Sequence, residues 1–249
     1  PTSVCHVVAG QVPEPVHTVL SSDLGAITQA AVSVLKPLLA GHQGMLVGPG
    51  LGTDDKTIEF VETLLVGRTQ ITHPIGFLSQ RAVEPEQRSE LPPLIVDADG
   101  LNALAKLDGG PAALPPNSIL TPHPGEMARL TGLSTGEINA KRWEVATRFA
   151  AEWNQIVVLK GAYTVIAHPS GALAVSPFAN AALATAGSGD ALAGAIVALL
   201  AQGLAPWDAA RVGVYLHGMA GHLAAEKYGP ALLASDIAQE LSQALAILS

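Results

Sequence analysis

The segment TAGSGD (185–190) places small residues and one carboxylate directly ahead of an almost wholly apolar run, ALAGAIVALLAQG (191–203). Glycine lets a backbone approach a ligand closely, because no Cβ stands in the way. A helix that starts at Asp190 would direct its unpaired N–H groups and its positive dipole end at this loop. Together these features predict an anion site, most often one for phosphate. The alternative is a tight turn in which Asp190 is only the N-cap of the helix.

Two aspartates, Asp97 and Asp99, flank Ala98 where an apolar strand is predicted to end. They could contact a substrate or a hydrated Mg²⁺, which usually takes one or two carboxylates together with phosphate oxygens. The alternative for Asp99 is structural, as the N-cap of a helix that begins at Gly100. Glu126 is a second candidate ligand for such an ion.

Basic side chains near other strand ends leave a functional and a structural interpretation open. His123 lies in the Pro-flanked loop TPHPGE (121–126), and Lys160 opens the loop after another strand. Lys160 could reach a phosphate or be a solvated cation, and His123 could bind a ligand or only support its loop. His217 and His222 are five residues apart and fall on different faces of a helix, which predicts packed or surface histidines rather than a zinc pair.

Three common motifs are excluded by the spacing of glycine and serine. GPGLGT (48–53) is not the dinucleotide fingerprint G-x-G-x-x-G, since its third glycine comes one place early. No G-x-x-x-x-G-K-[ST] segment occurs, which excludes the P-loop. The residues around Ser188 read A-G-S-G-D rather than G-x-S-x-G, so Ser188 is not predicted to be a hydrolase nucleophile. Ser188 is expected instead to offer its N–H and hydroxyl to an anion.

The segments that must position these residues alternate between short apolar strands and longer helical patterns. Strands are predicted at Met45–Val47, Leu94–Val96, Ser118–Leu120, Ile156–Leu159, Thr164–Ala167 and Leu173–Val175. Helices are predicted near 23–39, 54–66, 125–131, 135–153, 190–202, 206–227 and 235–248. This alternation is typical of an α/β fold with a mostly parallel sheet and helices on both faces. The polar, Pro-rich residues 67–93 are predicted to be a surface connection.

In such sheets a ligand binds at the carboxyl ends of the parallel strands. The loops that follow four of the predicted strands carry the residues described above: GPGLG (48–52), DADGLN (97–102), TPHPGE (121–126) and KGAYT (160–164). One crevice at this edge of the sheet is therefore the expected site.

Composition limits the class of protein. The 249 residues, of which 49% are hydrophobic and 14% charged, suit one domain (1–249) with a sizeable core. The net charge is −8 and the sequence has no Lys/Arg cluster, so the basic surface typical of a nucleic-acid-binding protein is not predicted. The most apolar run, Ala191–Ala201, is too short to span a bilayer, so no membrane segment is predicted. A lone cysteine, Cys5, fits a reducing cytoplasm.

Six segments occur in order along the chain: GPGLGT, VDADGLNAL, LTPHPGEMARLTG, VVLKGAYTVIA, ATAGSGDALAG and VYLHGMAGHLAAEKYG. In this order and spacing they resemble the NAD(P)H-hydrate dehydratases of the ribokinase-like superfamily, which repair hydrated nicotinamide cofactors. The match extends from about residue 44 to the C-terminus and includes LLASDI (232–237). PHPGE together with GSGD and its flanks carries the resemblance, since glycine loops alone are common. The resemblance implies a three-layer αβα sandwich with a mostly parallel central sheet.

The resemblance also implies roles for individual residues. Asp190 would be catalytic and would face the hydroxyl of the substrate. The substrate, hydrated NADH or NADPH, would be bound by Gly48, Gly50, Gly52, Asp99, Asn102, His123 and Asp190. The adenine nucleotide would be bound by Lys160, Gly161, Ala162, Tyr163, Thr164, Ala186, Gly187, Ser188 and Gly189. Glu126 stands where many ribokinase relatives place the acid of an N-x-x-E motif near Mg²⁺ and phosphate, with His123 in place of the Asn.

The implied activity is dehydration of the S epimer of hydrated NADH or NADPH, with ADP or ATP as co-substrate and Mg²⁺ as cofactor. Relatives imply a cytoplasmic homo-oligomer such as a tetramer. The family's opening strand and its Gly/Ser/Tyr/Ala-rich loop are not found ahead of VCHVVAG (4–10), so that segment is expected to be missing. Two alternatives stay open. One is a kinase of the same fold that acts on a vitamin precursor such as hydroxyethylthiazole or hydroxymethylpyrimidine, and the other is a catalytically silent nucleotide-binding homologue.

Overall fold

The computed structural model describes residues 1–68 and 91–248. Within them a two-stranded hairpin, β1 (Ser22–Asp23) and β2 (Ala26–Ile27), precedes a central sheet. The sheet contains six strands: β3 (Met45–Val47), β4 (Leu94–Val96), β5 (Ile119–Leu120), β6 (Ile156–Leu159), β7 (Val165–Ala167) and β8 (Leu173–Val175). Each begins within one residue of its predicted start, because continuous apolar runs mark buried strands well.

The strands of the central sheet lie side by side in the order of the sequence. Strands β3, β4, β5 and β6 run parallel, whereas β7 is antiparallel to β6 and β8 is antiparallel to β7. The direction changes after β6, where a short loop replaces the crossover that parallel neighbours need. The mixed, mostly parallel sheet confirms the predicted α/β class.

Helices connect the strands and complete the chain. The described residues contain α1 (Thr2–Gln11), α2 (Ala31–Leu39), α3 (Asp55–Val61), α4 (Asp99–Leu104), α5 (Pro124–Thr131), α6 (Thr135–Ala140), α7 (Arg142–Trp153), α8 (Ser188–Ala201), α9 (Pro206–Tyr228) and α10 (Ala234–Leu248). A π-helical turn, Glu62–Val66, extends α3, and short 3₁₀ turns occupy Gly110–Ala113, Ala181–Ala184 and Gly229–Ala231. In this part of the chain, no helix is both long enough and apolar enough to cross a bilayer.

The predicted helix 23–39 is wrong in its first half. Leu24 and Gly25 take φ values of +50° and +90°, which form the β1–β2 turn and exclude a helix there. Helix α2 therefore begins only at Ala31. Of the predicted connection 67–93, residues 69–90 lie outside the described residues.

Two further helix boundaries and one whole helix differ from the sequence pattern. The predicted helix 135–153 is two helices, because Lys141 leaves the helical region with φ −135° and ψ 45°. Helix α8 begins at Ser188 rather than at Asp190. The pattern does not predict α1, and none of the side chains of α1 is buried, so no apolar face announces it.

Two hydrophobic cores lie on opposite faces of the central sheet. Successive strand residues point to opposite faces, so that Leu94 and Val96 enter one core and Ile95 enters the other. The first core is covered by α2 to α7 and the second by α8, α9 and α10. The arrangement is the predicted three-layer αβα sandwich, and it leaves the carboxyl ends of β4, β5 and β6 facing the N-terminus of α8.

Candidate active site

A cavity of about 670 Å³ lies at the carboxyl ends of β4, β5 and β6 and is closed on one side by the start of α8. Its volume is in the range of small-molecule and cofactor sites. The predicted site residues that line it are Asp97, His123, Glu126, Lys160, Gly161, Ala162, Thr164, Gly187, Ser188, Gly189 and Asp190. Three of the four expected strand ends therefore meet in one crevice.

The remaining predicted site residues lie outside the wall of this cavity: Gly48, Gly50, Gly52, Asp99, Asn102, Tyr163 and Ala186. Ala186 adjoins the wall in sequence but is exposed. Tyr163 is 54% exposed, and its N–H donates to the carbonyl oxygen of Phe178. The other five belong to the β3 end and to α4, which are joined by a hydrogen bond between Gly52 and Asp99.

Asp99 connects the β3 loop to α4 through its carboxylate. The Gly52 N–H donates to Asp99 Oδ2 at 2.8 Å, and Asn102 Nδ2 lies 3.4 Å from Asp99 Oδ1. Arg129 Nη1 in turn donates to Asn102 Oδ1 at 3.0 Å. Asp99 is not the N-cap of a helix starting at Gly100, since α4 starts at Asp99 itself and Ala98 takes the cap position. The prediction that Asp99 is an N-cap is therefore wrong, and its carboxylate instead accepts a hydrogen bond from Gly52.

The backbone at Ala98 turns the two neighbouring aspartates in different directions. Ala98 has φ +49° and ψ −120°, a conformation that costs an L-residue about 1–3 kcal/mol. Gly48 packs so closely against this turn that a Cβ would lie 1.7 Å from the Asp97 carbonyl oxygen. As a result Asp97 faces the cavity, whereas Asp99 faces the loop at Gly52.

The start of α8 contains the glycine-rich loop for which the sequence predicts an anion site. Gly187 has φ +85° and occupies the N-cap position, so the alternative in which Asp190 is the N-cap is wrong. The Ser188 N–H donates to the Thr185 carbonyl oxygen at 3.2 Å. No acceptor within residues 1–68 and 91–248 pairs with the N–H groups of Gly187 and Gly189. These N–H groups and the exposed Asp190 in the first turn thus face the same cavity.

Lys160 is held inside the cavity wall rather than in solvent. Lys160 Nζ lies 2.7 Å from Asp97 Oδ1 and 3.7 Å from Glu126 Oε2. The three side chains are 16%, 1% and 7% exposed, respectively, so the interpretation of Lys160 as a solvated cation is wrong. The sequence places Asp97 at the strand end but does not distinguish it from Asp99 as the cavity residue.

His123 supports its loop and also lines the cavity. Its Nδ1 accepts hydrogen bonds from the N–H groups of Gly125 and Glu126, at 2.9 and 3.3 Å, as the N-cap of α5. Glu126 Oε2 completes a capping box by accepting from the His123 N–H at 2.8 Å. The imidazole is half-exposed and lines the cavity.

His217 is a packed histidine in contact with Ser188 at the start of α8. Its Nε2 lies 3.0 Å from Ser188 Oγ, and the ring lines the cavity. Burial lowers the pKa of His217 to about 4, so the ring is neutral near pH 7. His222, on the same helix, is exposed and lies 3.4 Å from Glu226, so one histidine is packed and the other is at the surface.

Lowering the pH should destabilise the protein through His217. Because the folded pKa is near 4 and an unfolded histidine titrates near 6.5, only the unfolded state gains a proton between these values. The contribution of His217 to the free energy of unfolding is therefore fully present above about pH 6.5. It falls by up to about 3 kcal/mol as the pH approaches 4. Urea unfolding of native protein and H217Q from pH 7 to pH 4 measures this slope. H222Q is the surface control, and a slope as steep in H217Q as in native protein would contradict the assignment.

Another part of the cavity wall is apolar, and none of its residues is among those predicted from the sequence. Phe178 and Leu183 line the cavity and pack against α9, Phe178 at Gly218 and Leu183 at Gly221. A Cβ at either glycine would lie 2.2 Å from the packed side chain. Asn180 Nδ2 also donates to the Gly221 carbonyl oxygen at 3.3 Å. The glycines inside α9 are the sequence signal, since a helix interior otherwise disfavours glycine.

Arg142 supports the Lys160 loop from behind. Its Nη2 donates to the carbonyl oxygens of Leu159 and Lys160 at 2.8 and 3.3 Å. Gly161, with φ +148°, leaves room for this guanidinium, since a Cβ there would lie 2.9 Å from Arg142 Nη1. Burial lowers the pKa of Arg142 from its ordinary value, but the group remains charged.

The family model described as NAD(P)H-hydrate dehydratase matches residues 12–243. The chain belongs to the NAD(P)H-hydrate dehydratase family. A bifunctional NAD(P)H-hydrate repair enzyme, Nnr, from Moorella thermoacetica is 42% identical to it over 218 residues, which are 86% of this chain and 36% of that protein. The chain thus spans little more than a third of the length of that curated relative of the dehydratase family.

Solved structures agree with this family and its fold. The ADP/ATP-dependent NAD(P)H-hydrate dehydratase from Bacillus subtilis, co-crystallised with ATP/Mg²⁺ and soaked with CoA, has a TM-score of 0.73 and 28% identity, and the match covers 99% of this chain and 78% of that one. A ribokinase-like superfamily protein from Enterococcus faecalis V583 has a TM-score of 0.69 and 25% identity, over 89% of this chain and 69% of that one. The predicted ribokinase-like fold of this dehydratase-family chain is confirmed.

Proposed function

We propose that the chain catalyses the ADP- or ATP-dependent dehydration of the S epimer of hydrated NADH or NADPH. The observation that carries the proposal is the start of α8, where the Asp190 carboxylate and the N–H groups of Gly187 and Gly189 face one cavity with Lys160. A phosphate donor and a hydroxyl acceptor fit such a site, because it offers anion-binding groups beside a candidate base. Membership of the dehydratase family supports the choice of substrate.

The chemistry needs phosphoryl transfer because hydroxide is a poor leaving group. The oxygen on ring carbon six of the hydrated nicotinamide attacks the terminal phosphorus of the nucleotide, and the P–O bond to the shortened nucleotide breaks. The ring nitrogen lone pair then expels inorganic phosphate from carbon six. Loss of a proton from the adjacent ring carbon restores the conjugated dihydropyridine. The overall result is dehydration coupled to conversion of ADP to AMP, or of ATP to ADP.

The roles of the side chains follow from their places in the cavity. Asp190 accepts or orients the proton of the attacking hydroxyl. Gly187 and Gly189 provide N–H groups to the transferred phosphoryl group, and Lys160 provides a positive charge beside them. His123 contacts the hydrated nicotinamide. The protein mainly positions the reactants and stabilises charge, as in phosphoryl transfer generally.

Mg²⁺ is proposed to enter with the nucleotide. In residues 1–68 and 91–248, no group of three or more His, Cys, Asp or Glu side chains is arranged to hold a metal ion. This fits Mg²⁺ rather than a caged metal, since Mg²⁺ keeps several waters and takes one or two carboxylates plus phosphate oxygens. Glu126 is the carboxylate proposed to hold it. When bound, the ion would neutralise phosphate charge.

Product analysis tests the proposed function. Protein is incubated with hydrated NADH, Mg²⁺ and either ADP or ATP, and NADH, AMP or ADP and phosphate are measured. The proposal expects restored NADH and one phosphate per NADH. A stable phosphorylated product would instead indicate a kinase of the same fold, and nucleotide binding without turnover would indicate a silent homologue. Running hydrated NADPH in parallel determines the preferred cofactor.

Removing the His123 imidazole should weaken binding of the hydrated cofactor more than binding of ADP. H123A also removes an N-cap, which costs about 1 kcal/mol of stability. H123N is the matched control, because asparagine is a good N-cap but lacks the imidazole. Calorimetric titrations of both ligands into both variants measure the effect. Loss of hydrate affinity in H123A alone would assign the effect to the cap rather than to a ligand contact.

We also propose that the protein assembles as a homo-oligomer, such as a tetramer, and acts in the cytoplasm. The assembly states of relatives, as the resemblance implies them, support this proposal. Size-exclusion chromatography with light scattering measures the mass in solution. A monomeric mass across micromolar concentrations would refute the oligomer.

A further inference from the structure

The strongest unassigned feature is the ion pair between Asp97 and Lys160 in the cavity wall. Asp97 is only 1% exposed, and its Oδ1 lies 2.7 Å from Lys160 Nζ. The same ammonium lies next to the start of α8, since a Cβ on Gly189 would be 3.2 Å from Nζ. The absence of a side chain at Gly189 therefore leaves the space that the ammonium occupies.

The backbone around Asp97 is built to hold its carboxylate in this place. The Asp97 N–H donates to the Val47 carbonyl oxygen at 3.1 Å, and the Asp97 carbonyl oxygen accepts from Gly100 at 3.0 Å. The next residue, Ala98, keeps a left-handed φ that alanine rarely adopts, and Gly48 packs against the Asp97 carbonyl. A strained residue retained in a cavity wall points to a function for the group that it orients.

We propose that Asp97 is a positioning residue that holds the Lys160 ammonium beside Gly189, where the transferred phosphoryl group is bound. This inference rests on the proposed function. The lysine stem has four flexible carbons, and within the described residues the other carboxylate that lies within 4 Å of its ammonium is Glu126, whose Oε2 is 3.7 Å away. Asp97 thus decides between two positions of the ammonium, one at the start of α8 and one toward α5. Charge stabilisation of phosphoryl transfer depends on a charge that is already in place.

A double-mutant cycle over D97N, K160M and D97N/K160M tests the proposal with kcat, KM and ADP affinity. D97N should lower kcat at least tenfold while ADP affinity falls by less than about threefold, since the change removes a negative charge from an anion site. In the K160M background, D97N should change kcat by less than about threefold, because Asp97 acts through Lys160. The proposal is overturned by unchanged kcat in D97N, or by an equal loss of kcat in both backgrounds.

Stability measurements keep the result separate from folding and from the proposed function. K160M leaves the buried Asp97 charge without its nearest partner and should lower Tm, and adding D97N should restore it. E240Q is the control, because Glu240 is buried and its Oε1 lies 3.0 Å from Lys227 Nζ, and this pair is not part of the cavity wall. E240Q should leave kcat unchanged. Failure of the unmutated protein to restore NADH would refute the proposed function. The Tm values of K160M and D97N/K160M would still show whether Asp97 and Lys160 are paired.

A second variant covers the case in which D97N does not fold. K160R keeps a cation beside Asp97 but replaces the compact ammonium with a planar fork. ADP affinity should be retained within about threefold, and kcat should fall at least tenfold because the charge is displaced from Gly189. An unchanged kcat in K160R would overturn the requirement for a fixed ammonium.

Discussion

Asp190→Asn is expected to lower kcat by about 10²–10⁴-fold, the usual contribution of a positioned acid or base, while the fold and ADP binding are retained. Asn is nearly isosteric with Asp but cannot accept the hydroxyl proton. The exposed position of Asp190 in the first turn of α8 means that no buried contact is lost with the charge. Steady-state restoration of NADH gives kcat, and calorimetric titration gives ADP affinity.

D208N is the matched control for this variant. Asp208 is also an aspartate in the first turn of a helix, α9, where its half-exposed side chain pairs with Arg211. D208N should retain native turnover, because an exposed pair contributes little to stability and lies outside the cavity wall. Near-native kcat in D190N would remove Asp190 from the chemistry.

Gly48→Ala is expected to destabilise the protein by about 3 kcal/mol or more and to lower Tm by about 6–12 °C. Gly48 has φ +137°, and its Cβ would lie 1.7 Å from the Asp97 carbonyl oxygen and 2.8 Å from its carbonyl carbon. Both atoms are backbone, so no side chain can rotate away. The turn at Ala98 must shift instead, and the Asp97 carboxylate with it. Thermal unfolding monitored by circular dichroism measures the change in Tm.

G50A separates steric overlap from backbone conformation. Gly50 also has a positive φ, +70°, but open space surrounds the Cβ position. G50A should therefore cost only the conformational term of about 1–2 kcal/mol. Equal losses of Tm in G48A and G50A would show that the packing against Asp97 carries no energy.

The sequence predicts the sheet and the strand-end crevice because both depend on local patterns. The apolar runs at β4 and β6 are continuous, and Gly187 and Gly189 lie at the start of an apolar helix. The predicted helix 23–39 is wrong in its first half because the backbone turns at Leu24 and Gly25, and the hydrophobic periodicity does not show this turn. The positions of helix starts also differ by a residue or two, since capping decides them.

Side-chain partners within the site could not be predicted in the same way. Asp97 and Lys160 are separated by 63 residues and meet only because β4 and β6 flank β5. Asp97 and Asp99 have the same residue type and adjoin the same strand end, and the φ of Ala98 decides which of them enters the cavity. The positive φ of Ala98 results from the packing of the turn and not from a preference of alanine, so the sequence does not predict it.

The division of the helices between the two faces of the sheet has a consequence for how the chain is made. Among the described helices, α8, α9 and α10 pack against the row of Ile95, Ile119, Ile156 and Val158, and these helices follow all six strands of the central sheet in the chain. A chain on the ribosome can pair β3 to β6 and cover their first face before these helices exist. Until α8 follows, that row remains open to water, and nascent chains are exposed to aggregation for this interval. The helix that supplies Asp190 thus also ends this vulnerable period.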